Sequence, residues 1–311
     1  MKRKPVKEIY TLEDLRNFPD TTPAIRLGVF GDPVAHSLSP EMQNAALRHA
    51  KLDLQYARFQ ISPNQLHEAL RLIRDLNFIG LNLTVPHKIQ ALTLVDDVDE
   101  EAKKIGAVNT VAVRHGKLIG FNTDGRGFSR AVREEFSVDL RDLRVMVLGA
   151  GGAARAIALQ CAKEKCERLV IANRTLTKAK KLTDELHDFF AGPRVLGPVP
   201  RLQAVAWEES AIGFQVGNVD LIVNATPIGL QSADRSPIPA RLLAPHLMIY
   251  DTVYTGSQSR TPFVIAAIEA GARATNGLSM LLHQGARSFE LWFGLEAPID
   301  VMRQALRLPY L

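Results

Sequence analysis

Cysteine is nearly missing from this chain of 311 residues, with Cys161 and Cys166 the only two. Their spacing matches neither a metal motif nor a redox motif, so a disulfide framework is excluded and two reduced thiols on or beside one helix are expected. No apolar run approaches the length that spans a bilayer. No apolar stretch follows the opening charges as it would in a secretory signal. Charge of neither sign dominates: the formal net charge is only +5, which fits anionic small molecules as well as it fits nucleic acid. Lys2, Arg3, Lys4 and Lys7 supply much of that excess from a short tail, which reads as solvated terminus rather than binding arm. Internal repeats and low-complexity tracts are also missing. What remains is 46% hydrophobic and 23% charged, the make-up of a globular protein of enzyme size. The length exceeds one ordinary core and suggests two domains. The expectation is a cytoplasmic protein, monomer or homodimer, with a small-molecule partner, no nucleic acid, no membrane and no metal.

The stretch Arg144-Val-Met-Val-Leu-Gly-Ala-Gly-Gly-Ala-Ala-Arg155 organises the chain. Val145 to Leu148 lack polar alternation, as a strand buried on both faces does. Gly149 permits a tight turn, Gly151 lets backbone approach a pyrophosphate, and Ala154 is small enough for close helix packing. Gly149, Ala150, Gly151, Gly152 and Ala153 therefore form a Gly-x-Gly-x-x-Ala nucleotide fingerprint leading into a helix whose free N–H groups face phosphate. Alone the fingerprint is weak, because glycine turns also arise for steric reasons.

The next apolar run, Leu169-Val-Ile-Ala172, strengthens it. An NAD site would follow that strand with a carboxylate for the ribose 2′-hydroxyl; Asn173-Arg174-Thr175 stands there instead. Arg174 suits adenine stacking and a 2′-phosphate, Thr175 offers a hydroxyl, and Lys178 adds a second cation. The set favours NADP over NAD, although Lys178 by itself reads as a solvated residue at a helix entrance.

Upstream, residues 1–25 carry one short helix with Thr11 and Asp14 in a capping box. Arg26 to Phe30 reads as a strand ending at the loop Gly31 to Pro40, the carboxyl end where open α/β sheets bind ligands. Ser37 and Ser39 point to one side if that backbone is extended, and Pro40 starts a helix through Ala50. The plainer alternative has one serine capping that helix. Leu54 to Gln60 is a second strand, and Ser62-Pro63 opens a helix to Leu76.

Gly80-Leu-Asn-Leu-Thr-Val-Pro-His-Lys88 reads as strand, turn and new helix. Asn82 and Thr84 share one strand face among apolar Leu81, Leu83 and Val85, and a polyhydroxylated ligand would satisfy them. Pro86 suits the first helical turn. It leaves Lys88 near a helix N-terminus, the wrong end for a cation and an apt place for a general acid or base. A helix from Asp99 to Ile105 and a hairpin, Thr110–Arg114 with Lys117–Phe121 turned at His115-Gly116, follow. Asn109 and Asp124 lie at strand edges; either serves as an Asx turn, the reading preferred for Asn122. For Asp124 a carboxylate close to Lys88, holding the ammonium in position, is preferred.

Gly125 to Phe136 is an amphipathic linking helix. The glycine-rich domain continues to about residue 270, with strands Gln203–Trp207, Asp220–Val223 and Leu247–Tyr250 and a loop over 192–202. Loops at Asn224-Ala-Thr226 and Asp251-Thr-Val-Tyr254 close its strand ends, positioned to touch a dinucleotide. Gly277 to Phe293 is helical, with Leu281, Gly285, Phe289 and Trp292 on one stripe and Gln284 at its boundary. A last helix spans about Asp300 to Leu308.

Together these motifs, with His36-Ser-Leu-Ser-Pro40, Gly106-Ala-Val-Asn-Thr110, Asn122-Thr-Asp124 and Leu281-Leu-His-Gln284, resemble the shikimate dehydrogenase family over about residues 25 to 295. The resemblance implies an α/β fold of four parts: an extension over 1–25, a substrate-binding domain over 26–125, a Rossmann NADP-binding domain over 126–270, and C-terminal helices over 271–311 returning to the first domain. It implies NADP-dependent interconversion of shikimate and 3-dehydroshikimate in aromatic amino-acid biosynthesis. Lys88 and Asp124 match the family's catalytic pair. Ser37, Ser39, Thr84, Asn109 and Gln284 match its substrate ligands, with Asn82 and Tyr254 beside them, and Gly277 and Thr226 join the cofactor set. The alternatives are a quinate/shikimate dehydrogenase using NAD, against which the basic cofactor loop and paired serines argue, and a Rossmann-type sensor without turnover.

Overall fold

A computed structural model describes residues 7–191, 199–231, 233–256 and 260–309. Lys2, Arg3 and Lys4 of the expected basic tail, and most of the expected loop over 192–202, lie outside the described residues. The contacts divide the chain into two units, one holding the residues up to Thr123 and those from Leu281 onward, the other Asp124–Met280.

The first unit begins with β1 (Ile9–Thr11), α1 (Leu12–Arg16), β2 (Ala24–Gly31), α2 (Ser39–His49), β3 (Leu54–Gln60), α3 (Leu66–Asp75) and β4 (Gly80–Leu83). It continues with β5 (Asp97–Val98), α4 (Glu100–Ile105), β6 (Thr110–Arg114) and β7 (Lys117–Phe121). Its seven strands order as β1-β3-β2-β4-β6-β7-β5, parallel from β1 to β4 and antiparallel through β6 and β7. The part of the expected extension that is described, residues 7–25, supplies the edge strand β1, and Tyr10, Leu12 and Leu15 are buried in the unit's core. The Thr11–Asp14 capping box is present. Leu66, Ala69, Leu70 and Ile73 of α3 are buried at helical spacing, the stripe that holds an amphipathic helix to a sheet. The helix expected from Ser62 opens with a 3-10 turn over Pro63–Gln65 before α3 takes over.

The second unit contains α5 (Asp124–Phe136), β8 (Arg144–Leu148), α6 (Gly152–Lys163), β9 (Arg168–Asn173), α7 (Leu176–Phe190), β10 (Leu202–Ala206) and α8 (Glu209–Val216). Then come β11 (Leu221–Asn224), β12 (Met248–Asp251), α9 (Pro262–Glu269) and β13 (Arg273–Thr275). The order β10-β9-β8-β11-β12-β13 is parallel throughout, the doubly wound Rossmann arrangement that changes direction between β8 and β11. Val145 to Leu148 and Leu169 to Ala172 are fully buried, as strands covered on both faces are. Strand edges differ from expectation by one residue at β10, β11 and β12, where ladder hydrogen bonds rather than composition set the limit. The chain ends with α10 (Leu278–Phe293) and α11 (Ile299–Ala305), the latter stopping short of Leu308.

Cys161 and Cys166 are free and buried. A hydrogen bond from Cys166 and burial both push the Cys161 thiol up, so it stays protonated. No helix among the described residues is long and apolar enough to cross a membrane.

Candidate active site

In the first unit the chemistry gathers at the carboxyl ends of β2 and β4. Thr84 N donates to Phe30 O at 3.0 Å and Asp32 N to Val85 O at 3.0 Å. The loop after β2 and the loop after β4 are thereby stitched side by side, and a side chain at Gly31 would collide with the Thr84 methyl. Ser37 and Ser39 do not alternate along an extended backbone. The chain turns there, with Ser37 N donating to Val34 O at 3.1 Å, and the Ser37 hydroxyl accepts Ser39 N at 3.4 Å. Helix α2 begins at Ser39, one residue before Pro40. Arg58 fixes the loop by donating to Ser37 O at 2.7 Å and to Glu41 Oε1 at 2.5 Å.

The expected helix at Pro86 is not formed. Residues 85–89 are turns, followed only by a 3-10 helix over Gln90–Thr93. His87 N closes a turn onto Thr84 O at 2.9 Å. The buried His87 ring also reaches Ile61 O at 2.7 Å, and that long-range bond holds the segment in a turn. Lys88 therefore has no α-helix N-terminus beside it, only that one-turn 3-10 helix, and the dipole argument for its placement falls. Val85, expected to be a strand residue, lies beyond β4 and is 54% exposed. The Lys88 carbonyl accepts Val108 N at 2.7 Å, which ties its backbone next to Asn109. Burial pushes the His87 imidazole below its ordinary range, so the imidazole is neutral at pH 7.

Asn109 is the centre of the polar cluster. Its Oδ1 accepts Thr123 N at 2.8 Å, and its Nδ2 donates to Thr123 Oγ1 at 2.9 Å and to Gln284 Oε1 at 3.2 Å. Gln284 is not a boundary residue of α10 but a buried one held to this cluster. Asn82 departs from expectation as well, for its partners are already in the protein. Tyr56 Oη donates to its Oδ1 at 2.8 Å, and its Nδ2 reaches Thr110 Oγ1 and Ser288 Oγ, both at 3.0 Å. Asn82 thus needs no ligand to satisfy it and acts as a structural tie. Asn122 Nδ2 donates to Ala107 O at 2.9 Å, which fastens the strand end to the 107–109 segment.

Composition and motif missed Tyr56, Thr110, Thr123 and Ser288. One signal was readable: Gln284 and Ser288 are four apart on α10 and so share a face, beside the apolar stripe. Asp124 directly follows Thr123, opens α5 and is buried.

In the second unit the glycine turn forms as the motif requires. Gly149 adopts φ +114, and a Cβ there would meet Ala225 O at 2.9 Å, while a Cβ at Gly151 would meet nothing within 4 Å. The first position is closed by the Ala225-Thr226 loop and the second faces open space, the cradle a pyrophosphate needs. No side chain caps α6 at Gly151, so Gly152 and Ala153 keep first-turn N–H groups for an anion. At the end of β9, Arg174 and Lys178 are exposed. Thr175 is the N-cap of α7 without making a side-chain cap bond, which leaves its hydroxyl for a phosphate. Asn173 Nδ2 donates to Thr175 O at 2.9 Å, shaping the turn. The Thr226 hydroxyl donates to Asn224 Oδ1 at 2.7 Å. Gly277 packs against Thr252, where a Cβ would collide with the Thr252 carbonyl. The donor set, one open glycine and basic side chains without a carboxylate at the β9 turn, fits NADP. A separate cleft of about 730 Å³, lined by Arg144, Arg168, Arg201, Asp220 and His246 among others, lies at the amino ends of β8 and β9, away from this edge.

Three family models match separate stretches of the chain. Residues 29–111 match the shikimate dehydrogenase substrate binding domain, 130–193 match the shikimate / quinate 5-dehydrogenase domain, and 277–307 match the shikimate 5′-dehydrogenase C-terminal domain. The NADP+-dependent shikimate dehydrogenase of Methanopyrus kandleri is 42% identical over 282 residues, covering 90% of this chain and 94% of that one. The crystal structure of shikimate 5-dehydrogenase from Thermus thermophilus in complex with NADP(H) and shikimate is 37% identical with a TM-score of 0.77, over 91% of this chain and 98% of that one. Quinate dehydrogenase from Corynebacterium glutamicum in complex with NAD has the same TM-score at 28% identity, over 91% of this chain and 99% of that one.

Proposed function

Because this chain belongs to the shikimate dehydrogenase family, we propose that its two units serve one reaction, the reversible NADPH-dependent reduction of 3-dehydroshikimate to shikimate, in which Lys88 handles the proton. The enzyme is an oxidoreductase acting on a CH–OH group and uses NADP. The observation that carries the reading is the tie between Lys88 O and Val108 N, beside an Asn109 side chain already bonded to Gln284 and Thr123. This tie holds an ammonium-bearing turn next to amide and hydroxyl groups suited to a polyhydroxylated ring.

NADP, held by Gly149 to Ala153, Asn173 to Thr175, Lys178, Thr226 and Gly277, supplies or takes up the hydride when bound. Lys88 gives a proton to the C3 carbonyl oxygen of 3-dehydroshikimate and takes it back in the reverse direction. Ser37, Ser39, Thr84, Asn109 and Gln284 bind the substrate's polar groups, with Asn82 and Tyr254 near them. Asp124 binds hydroxyls and orients Lys88. Aromatic amino-acid biosynthesis is the pathway, the cytoplasm the compartment, and monomer or homodimer the state that light scattering would determine.

Replacing Lys88 by Ala is expected to lower turnover by about 10² to 10⁴, the usual worth of general acid–base help, while KM for shikimate stays within a small factor. Near-normal turnover in that variant would refute the role. Following absorbance at 340 nm with shikimate or quinate, and NADP+ or NAD+, separates this reading from an NAD-linked quinate enzyme and from a sensor. The shared fold of the quinate dehydrogenase does not decide between them. The absence of a carboxylate after β9 favours NADP.

A further inference from the structure

Asp251 ends β12 and is completely buried, yet no cation accompanies it among the described hydrogen bonds and ion pairs. Its carboxylate accepts three donors: Asn224 Nδ2 at 2.8 Å, Val253 N at 3.1 Å and Thr261 Oγ1 at 2.6 Å. Each donor belongs to a different piece of the cofactor edge. Asn224 ends β11, and its Nδ2 also donates to Ile228 O at 2.9 Å while its Oδ1 accepts Thr226 N at 3.2 Å and the Thr226 hydroxyl. The same loop presses Ala225 O and the Thr226 methyl against Gly149. Val253 N shapes the turn after β12, the turn on which Gly277 packs. Thr261 caps α9 by accepting Val264 N at 3.3 Å, and Gly229, at φ +102, faces the second Asp251 oxygen. A chain of direct contacts therefore runs from one buried carboxylate to the glycine turn.

We propose that Asp251 is a positioning residue for the cofactor: it fixes the loop 224–229 against the Gly149 turn and the turn 252–254 against Gly277, and so sets NADP affinity without touching NADP. The proposal rests on the reading that this edge takes NADP. A buried anion with no countercharge is costly, and burial pushes the Asp251 carboxyl up to about 6. A residue kept for stability alone is poorly served by such a charge, whereas three separate loops need one acceptor with several lone pairs.

Three variants test it: Asp251→Ala, Asp251→Asn, and Asp220→Asn, which breaks the Arg144–Asp220 pair at the opposite end of the same sheet. Binding of NADPH is read by its fluorescence, and KM for NADP+ and for shikimate by steady-state rates, all well below the unfolding temperature. Asp251→Ala is expected to weaken NADPH binding and raise KM for NADP+ by about tenfold, the worth of one or two lost hydrogen bonds, with KM for shikimate nearly unchanged. Asp251→Asn is expected to recover most of that loss, because an amide oxygen takes Asn224 and Val253 and its NH2 donates to Thr261. Asp220→Asn is expected to lower stability without changing NADPH affinity. If Asp251→Ala does not fold, Thr261→Val should show the same selective loss at smaller size. NADPH affinity unchanged in folded Asp251→Ala, or in Thr261→Val where that variant must stand in, overturns the proposal. So does equal weakening in Asp220→Asn. If the wild type binds NADPH but does not oxidise shikimate, the proposed reaction fails while the affinity comparison still judges Asp251.

Discussion

At the scale of single residues, two buried titratable groups give opposite pH signatures. The His87 imidazole is pushed down by burial, partly offset by its bond to Ile61 O and by Asp32. Its contribution to stability is present above the ordinary value of 6.5 and is lost as pH falls through the lowered folded value, because the unfolded chain then binds the extra proton. Asp251 runs the other way. With its carboxyl raised from 3.8 to about 6, its favourable contribution is complete below 3.8 and lost as pH rises through about 6. A shift of that size corresponds to roughly 3 kcal/mol. Thermal unfolding from pH 7.5 to 4 should therefore show His87→Gln flattening the decline that begins near 6.5, and Asp251→Asn removing a gain that begins near 6. A His87→Gln curve parallel to that of the wild type would show that the imidazole does not titrate on unfolding. The pattern Val-Pro-His-Lys showed that the residues were present, but not that the His87 ring is anchored at Ile61.

At the scale of elements, α10 carries the decisive pairing. Gln284 faces Asn109 and Thr123, and one turn on, Ser288 meets Asn82 and Thr110 at 3.0 and 2.9 Å. Ser288→Ala is expected to destabilise the protein by about 0.5 to 1.5 kcal/mol, since it removes the hydroxyl shared by Asn82 and Thr110 and leaves Asn82 Nδ2 with Thr110 Oγ1 and the longer bond to Asn109 O at 3.3 Å. Urea unfolding measures it, and a change below a few tenths would mean that Asn82 re-pairs freely. The glycine turn after β8 is the opposite case. Gly149→Ala is expected to abolish NADPH binding, because φ +114 and the 2.9 Å approach of Ala225 O leave no room for a methyl group without moving the loop. Undiminished fluorescence on NADPH titration of that variant would contradict this reading. That turn was legible in sequence because its strand, glycines and helix are adjacent residues. The turn at 85–89 was not, since a proline after a short apolar run suits a helix start equally well, and the bond that excludes the helix comes from residue 61.

At the scale of the whole molecule, the opening segment belongs to the first unit's core. Tyr10 packs against Phe59 with ring centroids 5.5 Å apart, and β1 pairs along β3 through Ile9, Tyr10 and Thr11. Removing residues 1–16 is expected to cost several kcal/mol, at roughly 1.5 to 3 for each large apolar side chain lost from the core, and to lower the melting temperature. An unchanged melting curve would return the segment to the status of an appendage. The sequence marked the capped helix at Thr11 but not β1 before it, because a three-residue strand carries too little periodicity to read. The sequence by itself determined the two α/β units, the parallel order of short apolar strands and helices, the glycine turn, the basic cofactor loop and the hairpin, all of which rest on neighbouring residues and local backbone preference. Only the tertiary structure decided which buried polar groups satisfy one another: Asn82 with Ser288, Asn109 with Gln284, and Asp251 with Asn224 and Thr261. A buried donor must find an acceptor wherever the folded chain brings one, and strand order and helix packing, not sequence distance, determine which acceptor is near.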